Sequence, residues 1–371
     1  MKAIIPRIEL VTLIGKIQNI VPQKPTIPIL GNILLEARDD QIILSATDLT
    51  VSMRAYTDAQ VLEEGSMTLP AKKFIQLVRE LTAPQVELHA ASPEIVFINS
   101  GTSHFKISGM HSSEFPALPD LSEGARFSLP GPVLKEMLAR TVFAAGREDN
   151  RQVLNGVHLE YANKTATFTA TDGKRIAKLQ TAIDLGDTEG ASYILPVKAV
   201  EEIIKILDTK EGLCQFSLMQ DKIALEMGSM TLIAKLISGI YPNLGQIIPE
   251  KKETSISLHR EELISLLRQV SLFTSDDNPA VRFTFAPGEL HLAVMSGRHG
   301  EGRVNMPVNY GGERVEIAFN PHYFLDFLRH CKDESVGFDF TGPYNPGLIT
   351  DSSSALFTIM PMRLEGATGA A

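Results

Sequence analysis

Apolar residues recur along this chain in two rhythms. In TLPAKKFIQLVREL, YILPVKAVEEIIKIL and AFNPHYFLDFLRHC they fall at Phe74, Leu77, Val78 and Leu81, at Val200, Ile203, Ile204 and Leu207, and at Phe324, Phe327, Leu328 and Cys331. The spacing i, i+3, i+4, i+7 is one face of a helix, and Pro or Asn stands before each. A further helix is predicted upstream of each, on Leu10, Leu13, Ile14 and Ile17, on Val133, Leu134, Met137 and Leu138, and on Leu263, Leu266, Leu267 and Val270. Between the helices QIILSATDL, ATFTATD and ELHLAVMS alternate apolar with polar, as half-buried antiparallel strands do.

These elements repeat. Ala46-Thr47-Asp48 and Ala170-Thr171-Asp172 coincide at an offset of 124, as do ILGNILLEA (29–37) and VLNGVHLEY (153–161). A third copy follows, in which VRFTF (281–285) answers VHLEY. The repeat predicts an α+β chain of three similar domains, 1–124, 125–250 and 251–371, each with two helices and antiparallel sheets. It also bears on FTATDGKRIAKL (168–179), where Asp172, Lys174 and Arg175 surround Gly173. Such a cluster suits a phosphate site, a catalytic group or a charged turn. Because the aspartate recurs as Asp48, a turn-former accepting backbone N–H bonds is the favoured reading. Lys174 and Arg175 belong to the middle copy alone and need a separate explanation.

Charge sharpens the picture. The net charge is −9, which taken as an average argues against a phosphate-rich partner. The six helical windows nevertheless carry 14 basic and 9 acidic side chains, leaving 21 basic and 35 acidic elsewhere. Basic helices on an acidic body suit a backbone-tracking contact with nucleic acid, salt-dependent and blind to sequence. The plainer alternative is that helices tolerate Lys and Arg well. With no Trp and 6% aromatic residues, stacking on single strands is disfavoured and duplex fits better.

Catalytic signatures are missing: no phosphate-binding loop, dinucleotide fingerprint or nucleophile elbow is present. His104 and His111 fit no zinc pattern, and neither a metal nor a cofactor is expected. Cys214 and Cys331 stand far apart, as in a reduced, cytoplasmic protein. Pro6, Arg7 and Glu9 interrupt the N-terminus before a secretory signal can build up, and no membrane span is expected.

Taken together, PTIPILGNILLEA (25–37), SATDL (45–49), LPAKKF (69–74), LNGVHLE (154–160), ATDGKRIA (170–177), YPNLGQIIP (241–249) and MPMRL (360–364) resemble the bacterial DNA polymerase III beta subunit family, the sliding clamps. That resemblance spans the chain. It implies a head-to-tail homodimer closing a ring of six domains around duplex DNA, helices inside and sheets outside, with no catalytic site of its own. It also implies a cleft in which the replicative polymerase, the clamp loader and repair or translesion polymerases dock short apolar peptides.

Carried over by motif, that cleft uses Leu154, Thr171, Gly173, Lys174, Arg175 and Ile176, then Pro242, Gln246 and Ile247. Asn320, Tyr323, Pro343, Tyr344, Met360, Pro361, Met362, Arg363 and Leu364 complete it. Arg175 is expected to hold a peptide carbonyl or carboxylate at the rim. Phe105 and Ile107 at one end, and Leu272 and Phe273 at the other, are the implied dimer contacts. Lys24, Lys72, Lys73, Arg140 and Lys198 are the implied DNA contacts. Gln246 stands where a longer or basic side chain is common in the family, and EGATGAA (365–371) extends past the family's usual end.

Overall fold

The computed structural model describes residues 1–118, 125–183, 190–207, 212–249, 254–275, 277, 279–296 and 300–363. Leu364 and the tail 365–371 therefore lie outside the described residues.

The chain runs three times through one order of elements, with one extra strand, Gln60–Glu63, in the first pass. In the first pass β1 (Lys2–Pro6) leads into α1 (Arg7–Ile17) and then β2 (Asn32–Arg38), β3 (Gln41–Thr47), β4 (Val51–Asp58), β5 (Gln60–Glu63) and β6 (Gly65–Pro70). Helix α2 (Ala71–Glu80) follows, with β7 (Gln85–Ser92), β8 (Ile95–Ser100) and β9 (Ser103–Ser108) closing the pass. The second comprises β10 (Ala125–Pro130), α3 (Gly131–Val142), β11 (Gly156–Ala162), β12 (Thr165–Thr171), β13 (Arg175–Ala182) and β14 (Ala191–Pro196). It ends with α4 (Val197–Leu207), β15 (Leu213–Leu218), β16 (Lys222–Met227) and β17 (Met230–Lys235). The third comprises β18 (Thr254–His259), α5 (Arg260–Ser271), β19 (Val281–Ala286), β20 (Glu289–Ser296), β21 (Gly300–Pro307) and β22 (Val315–Phe319). It ends with α6 (Pro321–His330), β23 (Ser335–Phe340), β24 (Gly347–Thr350) and β25 (Leu356–Ile359).

The helices form where the 3.6-residue rhythm is strongest. On α2, Phe74, Ile75 and Val78 are buried while Lys72, Lys73, Gln76 and Arg79 face water. Burying each large apolar side chain contributes about 1.5–3 kcal/mol, so the face rather than the short helix holds itself in place. Two expected helical positions, Leu81 and Cys331, sit one residue past their helices in extended backbone. Both remain buried, and their N–H groups still donate to the carbonyls of Leu77 and Phe327. At the entry to α6, Asn320 Oδ1 accepts the N–H of His322 at 2.9 Å, a capping bond that Pro6 and Pro70 do not make at their helices.

Packing gathers the elements into two compact units, Met1–Lys135 with Lys198–Ile237, and Glu136–Val197 with Ser238–Ala371. The first unit holds a five-stranded sheet, β5-β1-β7-β8-β9, and an eight-stranded sheet, β10-β15-β16-β17-β4-β3-β2-β6. The second holds an eight-stranded sheet, β14-β11-β12-β13-β25-β24-β23-β18, and a four-stranded one, β21-β20-β19-β22. Each long sheet is joined from two repeats, through β17 with β4 (Leu232 opposite Met53) and through β13 with β25 (Arg175 opposite Ile359).

Strand β3 departs from the half-buried expectation: Ile42 through Thr47 are all buried. It lies between β2 and β4, and on one face its cross-strand neighbours are Leu34 and Glu36 of β2 and Arg54 and Tyr56 of β4, Glu36 and Arg54 being paired at 3.5 Å. The aliphatic stems of such residues cover apolar surface while their charges reach water. In the second unit Phe283 stacks on Phe324 at 4.8 Å and meets Phe319 edge-on at 5.3 Å. These rings, all fully buried, anchor α6 to the sheet.

Candidate peptide-binding site

The turn after β12 is built by its own side chains. Asp172 Oδ1 accepts the backbone N–H groups of Lys174 at 2.9 Å and Arg175 at 3.1 Å. Thr171 Oγ1 accepts the N–H of Gly173 at 3.0 Å and donates to the carbonyl of Arg175 at 2.6 Å. The first repeat makes the same turn. There Asp48 Oδ1 accepts from Thr50 at 2.9 Å and Val51 at 2.7 Å, and Thr47 Oγ1 accepts from Leu49 at 3.0 Å. The aspartate is thus a turn-former in both copies.

The turn demands a left-handed residue at its third position, φ +86° at Gly173 and +72° at Leu49. At Gly173 space is short as well: a Cβ there would lie 2.9 Å from Arg151 Nη2. The Arg151 guanidinium donates to Asp149 through Nε at 3.0 Å and Nη2 at 2.9 Å, and to the carbonyl of Asp172 at 3.2 Å. Hydrogen bonds from Arg151 hold the Asp149 carboxyl well below its usual range, at about 2.

Arg175 departs from its expected role at the rim. Its side chain is 11% exposed, and each nitrogen already donates inside the protein. Nε reaches Asp172 at 3.0 Å, Nη1 reaches Asp326 of α6 at 2.7 Å, and Nη2 reaches the carbonyl of Phe143 at 2.7 Å. The guanidinium also lies over the Tyr323 ring, 4.4 Å from its centroid. It locks β13 to α6 and forms the wall of the site. Lys174 remains exposed and is the freer cation of the pair.

Beside this turn opens a cavity of about 360 Å³. Of the predicted residues it brings together Leu154, Thr171, Gly173, Arg175, Ile176, Pro242, Ile247 and Met360. The N–H of Met360 donates to the carbonyl of Lys174 at 2.9 Å, extending the β13–β25 pairing and holding the methionine at the opening. Sequence reasoning missed Arg151, Val153, Ile240, Leu244 and Thr358, which also line it. Thr358 was within reach, because strand alternation puts it on the face of Met360. Ile240 also carried a signal, an isoleucine ahead of Tyr241-Pro242 in a turn-rich stretch, and the structure leaves it 94% exposed.

Other predicted residues lie outside that lining. Asn320 caps α6, Tyr323 lies under Arg175, and the N–H of Met362 donates to the carbonyl of Ala318 at 2.7 Å. Gln246, Pro343 and Tyr344 are exposed, and Pro361 is half-buried. Arg363 lines a second cavity of about 560 Å³ on the four-stranded sheet.

The two remaining groups divide. Lys24, Lys72 and Lys73 are exposed, whereas Lys198 pairs with the Asp48 carboxylate. Arg140 is 4% exposed, paired with Asp351 and, at 3.3 Å, with Glu136, and it also donates to Ser353 at 2.8 Å. It is an internal ion-pair residue and no surface for DNA. Burial raises the Asp351 carboxyl, but hydrogen bonds from Ser353 and the Lys332 N–H, with the Arg140 charge, outweigh it and lower the carboxyl. Phe105 and Ile107 lie on the edge strand β9, the first 38% exposed and the second buried. Leu272, just past α5, is 79% exposed, and Phe273 packs against Gly300 and Gly302 of the edge strand β21.

Comparison with known proteins gives a consistent result. Family models of the DNA polymerase III beta subunit match over residues 1–119 for its N-terminal domain, 128–243 for its central domain and 245–363 for its C-terminal domain. The beta sliding clamp of Chlamydia pneumoniae is 49% identical over 364 residues, covering 98% of this chain and 99% of that protein. The crystal structure of the DNA polymerase III subunit beta from Pseudomonas aeruginosa superposes with a TM-score of 0.94 at 25% identity, covering 98% and 100% of the two chains. A sliding clamp from Bartonella birtlesii bound to griselimycin gives 0.93 at 28% identity, with the same coverage.

Proposed function

The chain belongs to the DNA polymerase III beta subunit family, and from that premise we propose how its parts serve a sliding clamp, a DNA processivity factor without catalysis of its own. The observation that carries the reading is the apolar cavity beside the Thr171–Ile176 turn, at the position the family motifs select. Its Leu, Ile and Met side chains suit the apolar residues of a short peptide. Such peptides would be presented by the replicative polymerase, the clamp loader and repair or translesion polymerases. The cleft residues are Leu154, Thr171, Gly173, Ile176, Pro242, Ile247 and Met360, with Arg175 as their internal brace.

The repeat supports a homodimer. Strand β17 pairs with β4, and β25 pairs with β13. In the first repeat β9 holds the place of β17 and β25, and in the third β21 holds the place of β4 and β13. Both lie at sheet edges. Pairing β9 of one copy with β21 of another would satisfy both edges, and done twice it closes a ring of six domains. Phe105 and Ile107 would then meet Leu272 and Phe273 of the partner. The domains are read as 1–124, 125–250 and 251–371.

Double-stranded DNA passes through the ring and is contacted through phosphates by Lys24, Lys72 and Lys73. Lys198 contributes less, because Asp48 already neutralises it. Among the described residues no helix is long and apolar enough to cross a membrane. The free, buried thiols of Cys214 and Cys331 suit the cytoplasm.

Retention on DNA tests the reading. The protein, loaded by its clamp loader, is expected to remain on closed circular duplex through gel filtration and to be lost within minutes when the circle is cut. Equal loss from both forms would remove the ring.

A further inference from the structure

The second cavity has a chemistry of its own. It opens on the four-stranded sheet, and its charged lining is Arg282, Arg303, Arg314 and Arg363 against Glu301 and Glu316, with His291 also present. Glu316 is shared between Arg314 at 2.7 Å and Arg282 at 3.7 Å, and Glu301 meets Arg303 at 3.5 Å. Arg363 meets no carboxylate among the described residues. Four guanidinium groups thus face two carboxylates, on a chain whose net charge is −9. The arginines are half or more exposed in Arg303 and Arg314, so their donors are open to a ligand.

Position gives this excess of positive charge a meaning. Met360 lines the apolar cleft and Arg363 lines the arginine cavity. The segment between them is anchored on one side by the bond from Met360 to Lys174 and on the other by the bond from Met362 to Ala318. Met360 and Arg363 are three residues apart, so their Cα atoms lie within about 11 Å, a reach that three to four residues of an extended peptide cover. Edge pairing through β21 engages backbone and leaves the sheet face, to which its arginine belongs, uncovered.

We propose that the arginine cavity receives acidic side chains flanking the apolar motif of a docked peptide. The inference rests on the apolar cleft being a peptide site and adds a rule of selection to it. Partners with Asp or Glu a few residues to one side of their apolar core bind more tightly than partners without them. Guanidinium groups favour carboxylates through paired N–H donors, and the adjacent apolar anchor has already met the entropic cost of association.

Fluorescence polarisation with three labelled peptides tests this. One carries a Leu- and Phe-containing core alone with Ser and Asn flanks, and the other two carry Asp-Glu-Asp on one flank or the other. At low salt one acidic peptide is expected to bind about five- to tenfold more tightly than the neutral one, the gain shrinking as salt rises. In the R282S/R314S variant that gain should fall to about twofold or less, with neutral-peptide binding and dimer sedimentation unchanged. Equal binding of all three peptides to the wild type overturns the inference and leaves the cleft standing. A gain that survives undiminished in the variant overturns it too, since half of the cavity's arginines would then contribute nothing to it. Failure of all three peptides to bind overturns the cleft reading together with it.

Discussion

At Leu49 a branched side chain adopts a backbone conformation that the second repeat gives to Gly173. Holding a non-glycine residue there costs about 1–2 kcal/mol, and Leu49, 53% exposed, recovers little by burial. Leu49→Gly is therefore expected to raise stability by about 1 kcal/mol, read from the shift in thermal unfolding. Gly173→Ala should act in the opposite sense by about 1–2 kcal/mol and weaken peptide binding, because the new Cβ displaces Arg151. Arg140→Met leaves Asp351 buried without its partner and should cost about 3–5 kcal/mol while leaving the salt dependence of DNA retention unaltered. Two histidines set a pH limit. Burial lowers His158, which stacks on Tyr241, and His330, which stacks on Phe143. A base held lower in the folded chain than in the unfolded one stabilises the fold above its ordinary value of 6.5 and loses that contribution as pH falls below it. Denaturant midpoints should drop between pH 7 and 5, and less steeply in a His330→Phe variant. The sequence revealed Asp172 because it recurs as Asp48. It concealed the bracing role of Arg175, whose partners Phe143 and Asp326 lie 32 and 151 residues away.

Among the elements, helices and strands were legible because each carries its burial in its own period. The six helices among the described residues begin two or three residues ahead of the first apolar residue of the rhythm, since a face that must be buried announces itself locally. Strand β3 did not, because its second face lies beside Leu34, Glu36, Arg54 and Tyr56 of the flanking strands, which its own pattern does not carry. Partnership between strands was not legible either. Nothing local to ATDGKRIA says that β13 continues into β25, yet that pairing brings Met360 to the cleft. The edges supply the next test. Leu272→Glu changes an exposed residue, so the monomer fold should keep its melting temperature. Sedimentation at micromolar concentration is expected to change from dimer to monomer; a persistent dimer would exclude the β9–β21 contact.

For the whole molecule the informative quantity is the distribution of charge rather than its sum. An acidic chain with basic helices is repelled from DNA at large and held near phosphates only locally. Reversing Lys72 and Lys73 to Glu should shorten retention on DNA most at low salt, where screening is weakest. An effect independent of ionic strength would mean that these lysines act by another route. The threefold repeat was visible in sequence because similar cores need similar apolar spacing. The partition into two units was not, because it depends on which strands zip across repeat boundaries.

The two composite sheets bear on how this polypeptide tolerates being cut. Excising residues 125–250 would strip β17 of β4 and β13 of β25, baring two ladders of unpaired amides at once. The isolated middle third should self-associate into β-rich aggregates rather than behave as an autonomous module, however plainly the alphabet of the chain marks it off.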